Sequence, residues 1–153
     1  MKRGFTLVEI LIVVVILGIL AAIVIPQFTE ASSEAKVSSL VSNLQTVRSQ
    51  IELYKIQHND KLPTELGIDF VDALTQKSDQ DGTLNATGKY GPYLQKMPAN
   101  PFIDDANNAV AVKIGAATDT PGTGTEGWFF NTTLGFKAND AGSTTDGTTH
   151  TSM

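Results

Sequence analysis

The sequence predicts an α+β protein: one long, kinked N-terminal helix, membrane-spanning in its first half, packed against a small antiparallel β-sheet. Three observations carry this reading. Phe5 to Ile25 is a stretch of 21 residues, with an apolar run from Ile10 to Ile25, and roughly 20 apolar residues are enough to cross a bilayer. From Val37, apolar residues recur at Leu40, Val41, Leu44, Val47, Ile51 and Tyr54, steps of three and four that mark one face of an amphipathic helix. Past residue 108 come short segments rich in β-branched and aromatic residues, separated by Gly, Thr and Pro.

Pro26 ends the apolar run. A proline inside a helix removes one hydrogen bond and kinks it. Because the amphipathic pattern resumes beyond it, one helix is expected from Phe5 to about Gln57, kinked near Pro26 and roughly 80 Å long at ~1.5 Å per residue. Its first half is apolar all round and needs lipid or other helices. Its second half is apolar on one side and needs a domain to lie against. Residues 5–26 are thus the spanning half, with Ile10, Leu11, Val14, Leu17 and Ile25 among its membrane-facing positions. Residues 27–138 form the head, and 139–153, a Gly, Ser, Thr and Asp stretch without periodicity, reads as a flexible tail.

The N-terminus carries the chemistry. Lys2 and Arg3 precede the span, which keeps the N-terminus cytoplasmic and sends the rest of the chain to the far side. Glu9 sits inside the apolar run, where an isolated carboxylate is costly and ordinarily has a partner or a task. Two simpler readings compete. A secretory signal peptide has a shorter apolar region, with its small-residue cleavage site beyond that region; here Ala21-Ala22 lie within the run. A plain single-span anchor leaves the order Gly-Phe-Thr-Leu-x-Glu without a reason.

Gly4-Phe5-Thr6-Leu7-Val8-Glu9, followed by the apolar run to Pro26, resembles the prepilin class of signal and helix shared by type IV pilins and type II secretion pseudopilins. The resemblance implies removal of residues 1–4 by a prepilin peptidase cutting between Gly4 and Phe5, and methylation of the new Phe5 amine. It also implies pairing of Glu9 with the Phe5 amine of a neighbouring subunit in a helical filament. Inside an apolar bundle such a pair is sound, since losing either charge strands the other. The implied setting is a bacterial inner membrane, with the head periplasmic. The implied partners are further copies of the chain, the peptidase, and an assembly ATPase with its inner-membrane platform. The stretch Gly91-Pro92-Tyr93-Leu94 with Pro98 and Pro101 resembles the loop before the sheet in major pseudopilins, although the chain then reads Asn100-Pro101-Phe102-Ile103. Together with the absence of cysteine, this favours a major secretion pseudopilin. The alternative is a type IV pilin serving adhesion or motility, or a minor pilin in DNA uptake.

Composition narrows the field. The chain of 153 residues has room for one domain plus an anchor, and with no cysteine it has no disulfide, thiolate metal site or Cys nucleophile. Formal net charge is −5, and loss of Lys2 and Arg3 would make it −7. An acidic head is not built to neutralise phosphates, so no nucleic-acid partner is expected. No Gly-x-Ser-x-Gly, phosphate loop or zinc spacing occurs, so a structural role is expected over an enzymatic one.

Along the head, His58-Asn59-Asp60-Lys61-Leu62-Pro63 ends the helix, with His58 read as a solvated residue of the last turn. Phe70–Leu74 reads as a short helix. Asp79-x-Asp81-Gly82 matches only part of a calcium loop and reads as a polar turn. The loop Lys89–Phe102 has its own apolar anchors and is expected to pack on its own domain, with a subunit contact or peptide-binding groove as the other reading. Ala109–Ile114, Gly127–Asn131 and Phe136–Ala138 are read as three strands of an antiparallel meander, with Trp128 and Phe130 on one face and in one cluster with Ile51 and Tyr54. Many major pseudopilins hold calcium in a C-terminal loop, and Asp104, Asp105, Asp119, Glu126, Asp140 and Asp146 are available oxygens. Nothing in their spacing selects a set, so no cofactor is assigned.

Overall fold

The computed structural model describes residues 6–122 and 125–153. The chain divides into two compact units, the first ending at Ala35 and the second Lys36–Met153. Helix α1, Leu7–Gln57, contributes to both and runs unbroken through Pro26. In the first unit every described residue is exposed except the half-buried Ser33.

The second unit is built on the C-terminal half of α1. Leu40, Leu44, Val47, Ile51 and Tyr54 are its buried stripe, and Val37 and Val41 at the edge are half-buried. Phe70, Ala73 and Leu74 of α2 (Phe70–Thr75) join that stripe in one core, together with Met97, Trp128, Phe130, Phe136 and Ala138. Rings meet at its centre: Phe70 and Phe130 lie 4.9 Å apart, Trp128 and Phe136 5.2 Å. The Trp128 indole also donates to the Pro98 carbonyl at 2.8 Å, so the one polar atom of the largest core side chain is satisfied.

Helix α1 stops where Asn59 and Asp60 turn left-handed, at φ 55° and 61°. Asn and Asp tolerate that conformation better than most residues. The Asp60 amide then donates back to the Lys55 carbonyl at 2.9 Å, satisfying one of the free carbonyls of the last turn. Helix α2 starts on Asp69, whose side chain accepts from the amides of Val71 and Asp72 at 2.9 and 3.2 Å.

Three expectations change. The sheet has three strands, β1 (Val112–Ile114), β2 (Trp128–Asn131) and β3 (Gly135–Ala138), in that order. β2 and β3 form the expected antiparallel hairpin, but β1 pairs with β2 in parallel, Val112 opposite Trp128, so the sheet is mixed. A parallel pair needs a crossover of about a dozen residues or more, and the long Gly- and Thr-rich connection 115–127 supplies it. Second, Ala109 and Val110 are helical, not extended. They belong to α3 (Ala106–Val110), which Asp105 caps by accepting from the amides of Asn107 and Asn108 at 3.0 and 2.8 Å. Gly127 makes this junction possible: a Cβ there would stand 2.3 Å from the Ala109 carbonyl oxygen.

Third, the expected flexible tail is part of the core's cover. Asn139, Asp140 and His150 are buried, and the chain ends in a short 3₁₀ turn, η1 (His150–Ser152). Asp140 accepts from His150 Nδ1 at 2.5 Å, from Asn100 Nδ2 at 2.7 Å and from the Gly142 amide at 3.1 Å. Asn100 Nδ2 is shared with the Gly127 carbonyl at 2.8 Å. The Phe102 ring lies 4.1 Å from that of His150. Arg48 of α1 donates to the carbonyls of Phe136 and Met153 at 2.9 and 2.7 Å. Apolar periodicity cannot announce such a segment, because polar contacts fasten it.

Two substitutions test this core by urea melts of a chain lacking residues 1–28. Trp128→Ala removes a fully buried indole and should cost about 3–5 kcal/mol; a loss below about 1 kcal/mol would contradict the burial. Asp140→Ala leaves the His150 Nδ1–H and one of the two Asn100 Nδ2–H groups buried and unpaired, with an expected loss of about 1–3 kcal/mol, whereas a disordered tail would register none.

Candidate functional site

The first residue described at the N-terminus is Thr6; Gly4 and Phe5, where cleavage and methylation are expected, lie outside the described residues, as does the leader 1–4. Thr6 and Glu9 form a reciprocal cap on α1. The Glu9 carboxylate oxygen Oε2 accepts from the Thr6 amide and from the Thr6 hydroxyl, both at 2.8 Å. Thr6 Oγ1 in turn accepts from the Glu9 amide at 3.3 Å. This is the capping box of Thr-x-x-Glu, in which two amides left free by helix geometry are satisfied by each other's side chains. Sequence reasoning singled out Glu9 for its charge and missed Thr6, although Thr6-Leu7-Val8-Glu9 is the signature of that cap.

The cap alters what Glu9 means in an apolar setting. In the single chain its carboxylate is not bare, since one oxygen already holds two hydrogen bonds and offsets part of the dipole at the helix start. The other oxygen takes no bond from the described residues. Beyond Glu9, Ile10, Leu11, Val14, Leu17 and Ile25 are all exposed, and so are Ile12, Val13, Val15, Ile16, Ile19 and Leu20 on the remaining sides. A helix segment apolar all round and left exposed by the described residues belongs in a lipid or multi-helix environment. α1 is long and apolar enough to cross a membrane.

The second stretch singled out, Lys89–Phe102, packs on its own domain. The amides of Tyr93 and Leu94 both donate to the Leu74 carbonyl at 2.9 Å, and Ser78 and Tyr90 exchange backbone bonds of 3.0 Å. Met97 and Asn100 are buried. His58 is the correction here. It is fully buried, not solvated, with its ring stacked on Tyr54 at 3.8 Å. Its Nδ1 meets the Tyr54 carbonyl and its Nε2 the Ser78 hydroxyl, both at 2.9 Å. A carbonyl can only accept, so Nδ1 carries a proton and donates to Tyr54, while the Ser78 hydroxyl, able to donate or accept, partners Nε2. The stripe Ile51, Tyr54, His58 continues in steps of three and four, and that signal placed His58 on the buried face.

Several of the carboxylates named as available oxygens serve their own loops. Asp105 caps α3, Asp119 accepts from the Ala116 amide at 2.9 Å, Asp140 holds His150, and Asp146 accepts from the Thr144 hydroxyl and the Thr148 amide. Among the described residues no group of three or more His, Cys, Asp or Glu side chains is gathered as a metal site.

An apolar, reciprocally capped helix carried into a small α+β head defines a single-span protein of pilin-like architecture. Comparison with known proteins makes the class specific. Residues 1–25 match the family model described as the prokaryotic N-terminal methylation motif. The type II secretion system core protein G of Pseudomonas aeruginosa is 36% identical over 101 residues, 66% of this chain and 68% of that protein. The protein of the same name from Dickeya chrysanthemi is 33% identical over 101 residues, covering 66% of this chain and 63% of the relative. That from Escherichia coli is 28% identical over 104 residues, 68% and 69% of the two chains. No solved structure matches. The chain belongs to the family of the type II secretion system core protein G.

The aromatic cluster around the loop has a pH signature. Burial, then the neighbouring phenols of Tyr54 and Tyr90, push the Tyr93 phenol up to about 12 from its ordinary 10.0, and its hydroxyl donates to Gln57 Oε1 at 2.7 Å. The folded head therefore binds this proton more tightly than the unfolded chain. Its contribution is complete below pH 10 and is lost as pH rises toward 12. Phenolate absorbance during an alkaline titration should show Tyr93 ionising late, and Tyr93→Phe should flatten the fall in melting temperature over that window.

Proposed function

We propose that this chain is a structural subunit of a helical pseudopilus filament in type II protein secretion, held in the inner membrane by α1 before assembly and packed through that helix afterwards. The observation that carries the reading is the uncovered apolar half of α1 with a capped carboxylate at its start. A prepilin peptidase cuts between Gly4 and Phe5, the Phe5 amine is methylated, and the head stands on the periplasmic side. The subunit is structural and not catalytic. Secretion is favoured over the type IV pilin reading because the matched relatives are named as secretion core proteins.

The geometry of the cap suggests how assembly proceeds. Before assembly, Thr6 satisfies Glu9 within its own chain, which lowers the cost of holding a carboxylate in the membrane. Cleavage then creates a cation at the depth of Glu9. The free oxygen of Glu9 receives the amine of a neighbouring copy while the other keeps its bonds to Thr6. The pair sets the axial register between subunits, since mutual burial is favourable only where both charges meet.

N-terminal mass analysis of protein from the host should show Met1 to Gly4 removed and Phe5 methylated. Glu9→Ala should leave insertion and cleavage intact and sharply reduce the sheared-filament fraction relative to membrane-bound monomer in the same cells. Normal filament yield from Glu9→Ala would overturn the pairing. An intact leader would overturn the filament reading as a whole.

A further inference from the structure

On the head, α1 and the β2–β3 hairpin border a groove of about 520 Å³. Arg48 and Lys55 line it from the helix and Lys137 from β3. Among the described residues none of these three cations has a side-chain carboxylate within ion-pairing distance, the Asp140–His150 contact being the one side-chain pair formed. Arg48 leans on the carbonyls of Phe136 and Met153, and Lys137 on that of Ser152 at 3.4 Å. Burial depresses both Arg48 and Lys137, and the Arg48 charge depresses Lys137 further. The groove thus gathers three cationic side chains, in a chain of net charge −5, and among the described residues lining it the one acidic side chain is Glu52.

The counter-charge is present elsewhere in every copy. Glu30 and Glu34 lie one turn apart on α1, so their carboxylates share a face. Both are exposed, and neither has a hydrogen-bond or ion-pair partner among the described residues. Many other acids of the chain are committed to their own loops, as Asp69, Asp81, Asp105 and Asp119 are.

We propose that the Arg48–Lys55–Lys137 groove is a docking surface for the Glu30–Glu34 face of α1 of a second copy. The spacing fits. Arg48 and Lys55 are separated along α1 by about 10.5 Å, and Glu30 and Glu34 by about 6 Å, at ~1.5 Å per residue. A helix laid beside α1 places two carboxylates between the two helix cations, with Lys137 closing from the hairpin. The contact is heterologous: it joins the neck of one copy to the head of another and leaves the same two surfaces free at the ends, as an open filament requires. It rests on the assembly reading and adds to it a second, charge-specific contact, distant in the chain from Glu9.

The absence of native cysteine gives a clean test in the full chain in its host. With Glu34→Cys and Lys55→Cys in one chain, mild oxidation of assembled filaments should produce a ladder of covalent oligomers, which neither single variant gives. Lys55→Glu and Glu34→Lys should each lower the filament fraction severalfold, and the two together should restore it. Filaments that form normally with either charge reversed, or a double swap that fails to rescue and a cysteine pair that yields no ladder, would overturn this docking while leaving the Glu9 reading intact. Failure of the unsubstituted chain to form filaments would overturn the assembly reading and this contact with it.

Discussion

Burial of the α1 stripe from Leu40 to Tyr54, continued by His58 just past the helix, is the interaction on which the head depends. The three strands have three or four residues each, and α2 and α3 are shorter than two turns. None of these could persist alone, since short helices and isolated hairpins are marginal in water. They are held because α2, β2 and β3 contribute large side chains to a surface that α1 already presents, with Val110 of α3 and Val112 of β1 packed against it half-buried. Phe129, on the opposite face of β2, is buried too. Gly115 allows the crossover to close over it, with a Cβ at that position standing 2.5 Å from the ring. The sheet is thus covered on both sides, which is the usual condition of a parallel strand pair.

The same helix meets opposite demands in its two parts. In the second unit the stripe is satisfied by its own chain. In the first no described residue buries the apolar surface, and its large apolar side chains are 40% exposed or more. In water that surface would drive aggregation. In lipid it is stable, and in a bundle of copies it is stable as well, so transfer between the two states exchanges one apolar neighbour for another at little net cost. What distinguishes the two states is then polar: the Thr6–Glu9 cap, available in either, and the interchain pairing proposed for Glu9, available only in the bundle. In the proposed assembly, small polar terms decide the direction because the large apolar term nearly cancels.

Local patterns were legible in the sequence and non-local ones were not. The extent of α1 was readable because apolar runs and three-four steps are local. The placement of Trp128 and Phe130 with Ile51 and Tyr54 was readable because a strand of large aromatics has to cover something. Two local signals passed unread, the Thr-x-x-Glu cap and the continuation of the stripe to His58, the first because Glu9 drew attention as a charge. The direction of β1 depends on the path of a thirteen-residue crossover between Ile114 and Trp128, which no spacing rule specifies. The tail depends on Asp140 meeting a residue ten positions on and Asn100 forty positions back. Those partners are polar and isolated in sequence, so periodicity is blind to them.

This clasp also bears on how a head without disulfides stays shut. Asn100 links the loop after Pro98 to the start of β2 and to Asp140, and its own Oδ1 accepts from the Phe102 amide at 2.9 Å. His150 brings the last described turn onto the same carboxylate and sets its ring, tilted, against that of Phe102. One buried carboxylate thereby ties the loop at Asn100, forty positions back, to the tail and to His150 ten positions on, as a crosslink would. The difference from a crosslink is that its strength lies in the folded state. A disulfide acts largely by restricting the unfolded chain, whereas a buried polar network contributes only while every member is paired. His150 Nε2 and Asn139 Nδ2 are buried without a partner beside it, so the network holds the tail at some cost, and the hydrogen bonds centred on Asp140 must exceed that cost for the segment to stay closed.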